Sequence, residues 1–328
     1  MVQEEPIQGN RRGAGRRLGS RRRSLQKRRP ESNPLLIKEL RGRMRGARAF
    51  VVLTVYLVLL SCFTSAIYYA FTLNVGTPTG GLDMAELGKT VFASVVLIEI
   101  FMVALITPAF TAGAISGERE RKTYELLRAT LLSARQLVSG KLAAAMTYML
   151  LLIMAAVPLE SLAFVMGGVV VEELALALVI LLVTAFACAS VGLFFSSIAR
   201  TTLASTALAY TAVLLTMIGL PVLLLFFGAL LVDPITSGYG SFTPSWVVEA
   251  GLMYALYFAA GLSPITAAIF TELALEEEST IWVFWYQVDG THRVPIPSAW
   301  IVYTVAYLVL AVVLLVVTVL RVRRQETR

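Results

Sequence analysis

Glu118-Arg119-Glu120-Arg121-Lys122-Thr123-Tyr124-Glu125-Leu126-Leu127 stands between two apolar runs, residues 90–114 and 142–166. Each run is long enough to cross a bilayer. Ionic groups in the hydrocarbon cost several kcal/mol each, so the charged insert must be a loop on one membrane face. It keeps helical periodicity and alternating charge, the pattern of a segment made to be touched by another protein.

The rest of the chain agrees. Of its 328 residues 57% are hydrophobic, mean hydropathy is +0.76, and the few charges are clustered. Soluble domains rarely exceed about half apolar, so the composition excludes a soluble globular enzyme. Six runs qualify as spans: 49–73, 90–114, 142–166, 174–198, 203–232 and 298–320, none with a Lys or Arg. The expected fold is an all-α membrane protein of six transmembrane helices. The first 48 residues are polar and basic, so the first span is expected to act as the insertion signal.

Charge sets the expected topology. With both termini inside, segments 1–48, 115–141, 199–202 and 321–328 hold 15, 6, 1 and 4 Lys or Arg, which is 26 of the chain's 28. Only Lys89 and Arg293 fall outside. The positive-inside rule therefore predicts N-in, C-in.

Residues 1–32 form a basic arm; ten Lys or Arg and no acid fall within 11–29, a composition that predicts disorder. An anchor on anionic lipid headgroups and a plain topological tag both remain open. Nucleic-acid binding has no fold or aromatic interleaving behind it. Residues 33–48 predict an interfacial elbow helix, with Asn33 as N-cap and Pro34 in the first turn.

In the inner loop 115–141, Ser116 is expected to cap a helix carrying Glu118 and Glu120 in its first turn. Glu118–Lys122 and Arg121–Glu125 have i,i+4 spacing, and Tyr124, Leu127 and Leu131 form an apolar stripe. Ser133-Ala134-Arg135-Gln136 is a capping box that opens a second helix running into the third span. A solvated hairpin and a docking helix both satisfy this pattern. The region 233–297, acidic and largely apolar, is expected to form helices lying on the outer leaflet or capping the bundle. Residues 246–270 are not taken as a seventh span, because that would move Arg321, Arg323 and Arg324 outside and Gly261 and Pro264 interrupt them. Residues 321–328 form a basic tail.

Pro108, Pro158 and Pro221 predict kinks within spans. Glu99 and Glu160 lie inside spans as well, and are expected to face protein or water rather than lipid. Cys62 and Cys188 sit in separate spans as small apolar groups. One histidine, His292, cannot make a metal cluster or a His-based catalytic set. Ser139-Gly140-Lys141-Leu142 lacks the upstream glycine and the hydroxyl of a P-loop, so nucleotide binding by that motif is excluded.

Asn33-Pro34-Leu35-Leu36-Ile37-Lys38-Glu39-Leu40-Arg41 resembles the entry segment of ATP-binding cassette permeases of the type-2, exporter-like class. Ile115-Ser116-Gly117-Glu118-Arg119-Glu120, followed by Thr123, Glu125, Leu126-Leu127, Thr130, Ser133 and Gly140-Lys141, resembles that family's loop after its second span. Lys122 stands where a glycine is common, and Leu131 where a proline often follows Thr130. The resemblance implies a half-transporter that pairs with a second six-span permease, the same chain or a close paralogue, in a cell membrane. It implies no enzyme activity and no cofactor in this chain, with ATP and magnesium held by a separate cytoplasmic ATPase. It makes Glu118 to Leu127 the coupling helix, with Glu118, Arg121, Tyr124, Glu125, Leu127 and Leu131 as the contacts. The alternative is a non-transporting structural or assembly subunit with a permease-like fold. A secondary transporter is disfavoured because no internal repeat is visible.

Overall fold

A computed structural model describes residues 47–75, 84–122, 133–231, 246–278, 281–287 and 292–326. The basic arm, most of the elbow segment, and Tyr124, Glu125, Leu127 and Leu131 lie outside the described residues.

Six helices are long and apolar enough to cross a membrane. The first is α1, Ala47–Val75; α2, Met84–Thr111, follows it. A turn then leads to a short helix, α3, Ser116–Glu120. The third and fourth spans are α4, Ala134–Met166, and α5, Val171–Ile198. The fifth is broken: α6, Thr202–Leu214, a π-helical segment Leu215–Gly219, and α7, Leu220–Leu231. The last is α10, Ala299–Glu326.

Local chemistry explains several of these boundaries. α4 starts at the capping box: the Gln136 N–H donates to Ser133 Oγ at 3.3 Å, and the Ser133 N–H donates to Gln136 Oε1 at 3.0 Å. α5 starts where the Val170 N–H donates to Glu173 Oε2 at 3.2 Å. The distortion expected at Pro221 takes the form of the π segment just before it. Proline has no N–H for the carbonyl of Met217, and its ring crowds that carbonyl, so the helix widens there.

α5 and α2 form the centre of the bundle, half or more of their apolar length enclosed, whereas α1 and the fifth span are about one-tenth enclosed. α5 packs on α2, α4, α6 and α10. Where α5 passes the end of α2 the contact is close: a Cβ on Gly192 would stand 2.0 Å from Thr111 Oγ1. A polar seam runs between α5 and α10, with Thr184 Oγ1 and Tyr303 OH 2.8 Å apart and the Tyr303 and Tyr307 rings 4.3 Å apart.

The end of the bundle opposite α3 carries two shorter apolar helices, α8, Trp246–Ala260, and α9, Pro264–Glu278. Gly261-Leu262-Ser263 separates them, so no seventh span forms. At about 1.5 Å per residue neither reaches across a bilayer. The expectation of helices alone in this region needs correction. A two-stranded antiparallel hairpin follows, β1 Val283–Gln287 and β2 Arg293–Pro297, with Trp285 opposite Pro295. Pro295 and Pro297 are tolerated because a two-stranded ribbon has only edges. The Trp300 indole N–H donates to the Ile281 carbonyl at 2.8 Å, and the Tyr307 hydroxyl to that of Leu262 at 2.8 Å, so α10 holds both the hairpin and the α8–α9 corner. His292 stacks on Trp246, centroids 4.7 Å apart.

Candidate functional site

α3 is too short to be stable alone. It is held by the ends of the spans around it. Its first N–H groups have no local side-chain cap. Instead the N–H groups of Ile115 and Ser116 both donate to Ser196 Oγ near the end of α5, at 2.8 and 3.0 Å. A residue about 80 positions away thus takes the place of an N-cap. Ser205, in the first turns of α6, donates to the Ala112 carbonyl at 2.6 Å.

The charged residues of α3 repeat this logic. Arg119 reaches back to the carbonyls of Ser197 and Ala199, at 3.2 and 3.5 Å. Those are carbonyls that the end of α5 leaves unpaired, and a cation is favourable at a helix C-terminus. Glu120 accepts from the Thr202 N–H and the Thr202 hydroxyl, each at 2.8 Å, where α6 begins. Those two bonds hold its carboxyl below the usual carboxylate range. Glu118 Oε1 meets Lys141 Nζ at 2.7 Å, and Lys141, near the start of α4, is only 3% exposed. Beneath them Ile115 packs with Leu137, Val138 and Leu193, and with Val322 at the end of α10. One five-residue helix is therefore fastened to α4, α5 and α6, and is continuous with α2 through residues 112–115.

Two expectations are corrected here. Ser116 does not cap α3; its hydroxyl donates backward to the Ala112 carbonyl at 3.1 Å. The charged segment does not continue the helix of Ser116 without a break. The helix stops at Glu120, and Lys122 adopts φ 55°, in the left-handed region that favours glycine. Glu118 and Lys122 are consequently not a helical i,i+4 pair; Glu125 lies outside the described residues. Arg121 and Lys122 are both exposed.

The second candidate lies within the bundle. Glu99 on α2 and Glu160 on α4, 0% and 2% exposed, lie close enough for each to feel the other's charge. The Tyr56 hydroxyl of α1 donates to Glu99 Oε1 at 2.9 Å. Glu99 Oε2 and both oxygens of Glu160 have no hydrogen-bond partner among the described residues. Both acids face protein, as their cost in lipid requires, and three spans bring them to one place.

Sequence reasoning missed Ser196 and Thr202 as partners of α3, Ser205 as a partner of the turn before it, and the pairing of Lys141 with Glu118. A lysine one helical turn or two inside an apolar helix, as Lys141 is, carries a signal, since such a cation needs a partner. The serines and threonines carry none in a span already rich in them.

The model of the family described as ABC-2 family transporter protein matches residues 34–326. The chain belongs to that family. No match to a curated protein accompanies it. The family and the six spans together make the chain a multi-pass membrane permease component of an ATP-binding cassette transporter. Permeases of this family generally work with an ATP-binding subunit.

Proposed function

We propose that this permease exports its cargo, driven by ATP hydrolysis in a separate cytoplasmic subunit that docks on the end of the bundle carrying α3. Both termini lie on that cytoplasmic side, where 26 of the 28 Lys and Arg are placed by the positive-inside rule. ATP and magnesium belong to the partner. A second copy or a close paralogue completes the pathway.

The observation that carries this reading is the attachment of α3. A surface loop that only joined two spans would need no bond to any other. Here Ser196, Lys141 and Thr202 tie it to α5, α4 and α6. A force applied to residues 115–122 therefore reaches three spans besides α2. That is what a coupling element must do, because a packed bundle transmits displacement rather than absorbing it.

The test is purification of the tagged chain from its native membrane in mild detergent. The expected result is a stoichiometric ATP-binding subunit and MgATP turnover. Leu127→Asp is expected to abolish both without changing the monodispersity of the permease. Absence of any ATP-binding subunit from the unmodified preparation would overturn the proposal. Reporter fusions after residues 130, 200 and 328 should report the cytoplasm, and those after 80, 170 and 240 the other side.

A further inference from the structure

The hairpin that follows α9 has two faces of opposite character. Its strands pair Val283 with Pro297, Trp285 with Pro295 and Gln287 with Arg293, and successive side chains of a strand point to opposite faces. On one face Ile296 is fully buried against Ala274 of α9 and packs with Met253 and Tyr257 of α8. The Tyr254 hydroxyl of α8 donates to the Pro295 carbonyl and fixes the ribbon there. The six residues of the other face are all exposed. Trp285 is 54% exposed, and Trp282, just before the strand, 65%. A contiguous apolar patch of that kind marks a surface that something apolar covers. The face is also graded. Val283 and Pro297 are level with the start of the last span, because the Ser298 N–H donates to the Trp282 carbonyl at 3.0 Å and Trp300 holds the Ile281 carbonyl. Trp285 and Pro295 come about 7 Å further along the ribbon, and Gln287 and Arg293 about 13 Å, at roughly 3.3 Å per residue.

We propose that this face of the hairpin is a lipid-binding surface that lies in the outer leaflet, with Trp282 and Trp285 between the acyl chains and the headgroups and Arg293 on a lipid phosphate. The inference takes the choice of leaflet from the topology given above. Apolar, then aromatic, then basic is the order in which a leaflet offers hydrocarbon edge, interface and phosphate. An indole ring, apolar in body with one polar edge, suits the middle level, and a guanidinium suits the two oxygens of a phosphate. A soluble protein is the other class of occupant. It would have to reach Trp282 and Val283 at the level where the last span enters the hydrocarbon, and displace lipid to do so. The consequence is mechanical. Ile296 and Tyr254 fasten the ribbon to α8 and α9, and Trp300 fastens it to α10, so lipid on the outward face holds the whole outer cap at one depth.

The test is tryptophan fluorescence of the full chain in proteoliposomes of phosphatidylcholine brominated either high on its acyl chains, near the headgroup, or near the chain ends. Bromine placed high is expected to quench strongly, and bromine at the chain ends weakly. Trp282→Gln together with Trp285→Gln should remove roughly half of the quenching by high bromine, since these are two of the chain's four tryptophans. If the double variant quenches as the unmodified chain does, while aqueous acrylamide reaches both residues in the unmodified chain, the face is wet and the proposal is overturned. If the double variant folds poorly, the photo-reactive residue p-benzoylphenylalanine at position 285 decides the matter: a cross-link to lipid is expected. A cross-link to protein alone, whether a soluble partner or a second copy of this chain, overturns the proposal. A reporter after residue 240 found in the cytoplasm overturns the choice of leaflet and the topology together. Quenching by high bromine in a chain that brings no ATP-binding subunit from its native membrane supports this inference and overturns the docking reading alone.

Discussion

Two of the places where this permease holds buried or half-buried charge treat it in opposite ways. Around α3 each charged side chain completes something that the helices leave open. Arg119 takes carbonyls at the end of α5, Glu120 takes donors at the start of α6, and Glu118 neutralises Lys141. In the middle of the bundle, Glu99 and Glu160 stand against each other with one hydroxyl, that of Tyr56, and three oxygens without partners. The first arrangement is one that stability alone would select. The second is one it would remove, since unpartnered buried polar groups cost about 1–3 kcal/mol each. The difference separates charges that complete the ends of helices from charges that stand buried without full partners.

The largest expected effect breaks the α3 arrangement at its most buried point. Lys141→Met removes the partner of Glu118 and leaves a half-buried carboxylate. Loss of one member of a buried pair costs about 3–5 kcal/mol, and the partial exposure of Glu118 reduces this to about 2 kcal/mol. Thermal unfolding of the purified permease should show it as a lowered midpoint. Lys141→Met together with Glu118→Leu should recover most of the loss, because both charges are then gone. An unchanged midpoint in the single variant would mean that the pair contributes nothing, and that α3 is held by Ser196 and Thr202 alone.

The interior pair is expected to respond with the opposite sign. Glu160→Met fills a similar volume and removes two unpartnered oxygens. It should raise the unfolding midpoint, by an amount equivalent to about 1 kcal/mol, while MgATP turnover of the assembled complex falls. A variant that is both less stable and fully active would show that Glu160 is a structural residue, and the contrast with α3 would collapse.

How much of this was readable in advance follows from the range of each interaction. The spans were legible because a run of twenty apolar residues has few alternatives to a membrane helix. The start of α4 was legible because Ser133 and Gln136 are three residues apart and complete their capping within one turn. That Glu99 and Glu160 face protein followed from cost alone, but that they face each other did not, because they come from different spans. The bonds that fasten α3 to other spans join residues 23 to 82 positions apart, and nothing local in Ser196 or Thr202 marks them. The hairpin was missed for another reason. Val283-Phe284-Trp285-Tyr286 is rich in strand formers, but it lies in an apolar acidic region that reads as helix, and the prolines of its partner strand read as a loop.

Lys122 gives the smallest effect and the sharpest test of how α3 ends. An L-residue in the left-handed region costs about 1–2 kcal/mol relative to the right-handed helix, and glycine avoids that cost while losing about 0.5–1 kcal/mol of chain entropy on folding. Lys122→Gly should therefore gain about 0.5 kcal/mol, and Lys122→Val, β-branched and worse suited to φ 55°, should lose about 1 kcal/mol. The turn has a consequence for Glu118 too. In a continuing helix Lys122 would stand one turn after Glu118 and compete with Lys141 for its carboxylate. Ending the helix at Glu120 removes that competitor. The effects of Lys122→Gly and Lys141→Met should accordingly add within about 0.5 kcal/mol in the double variant, as they do for independent sites. A larger coupling energy, measured by the same unfolding experiment on all four proteins, would show that Lys122 serves Glu118 after all, and that the charged segment behaves as the uninterrupted helix its sequence spells.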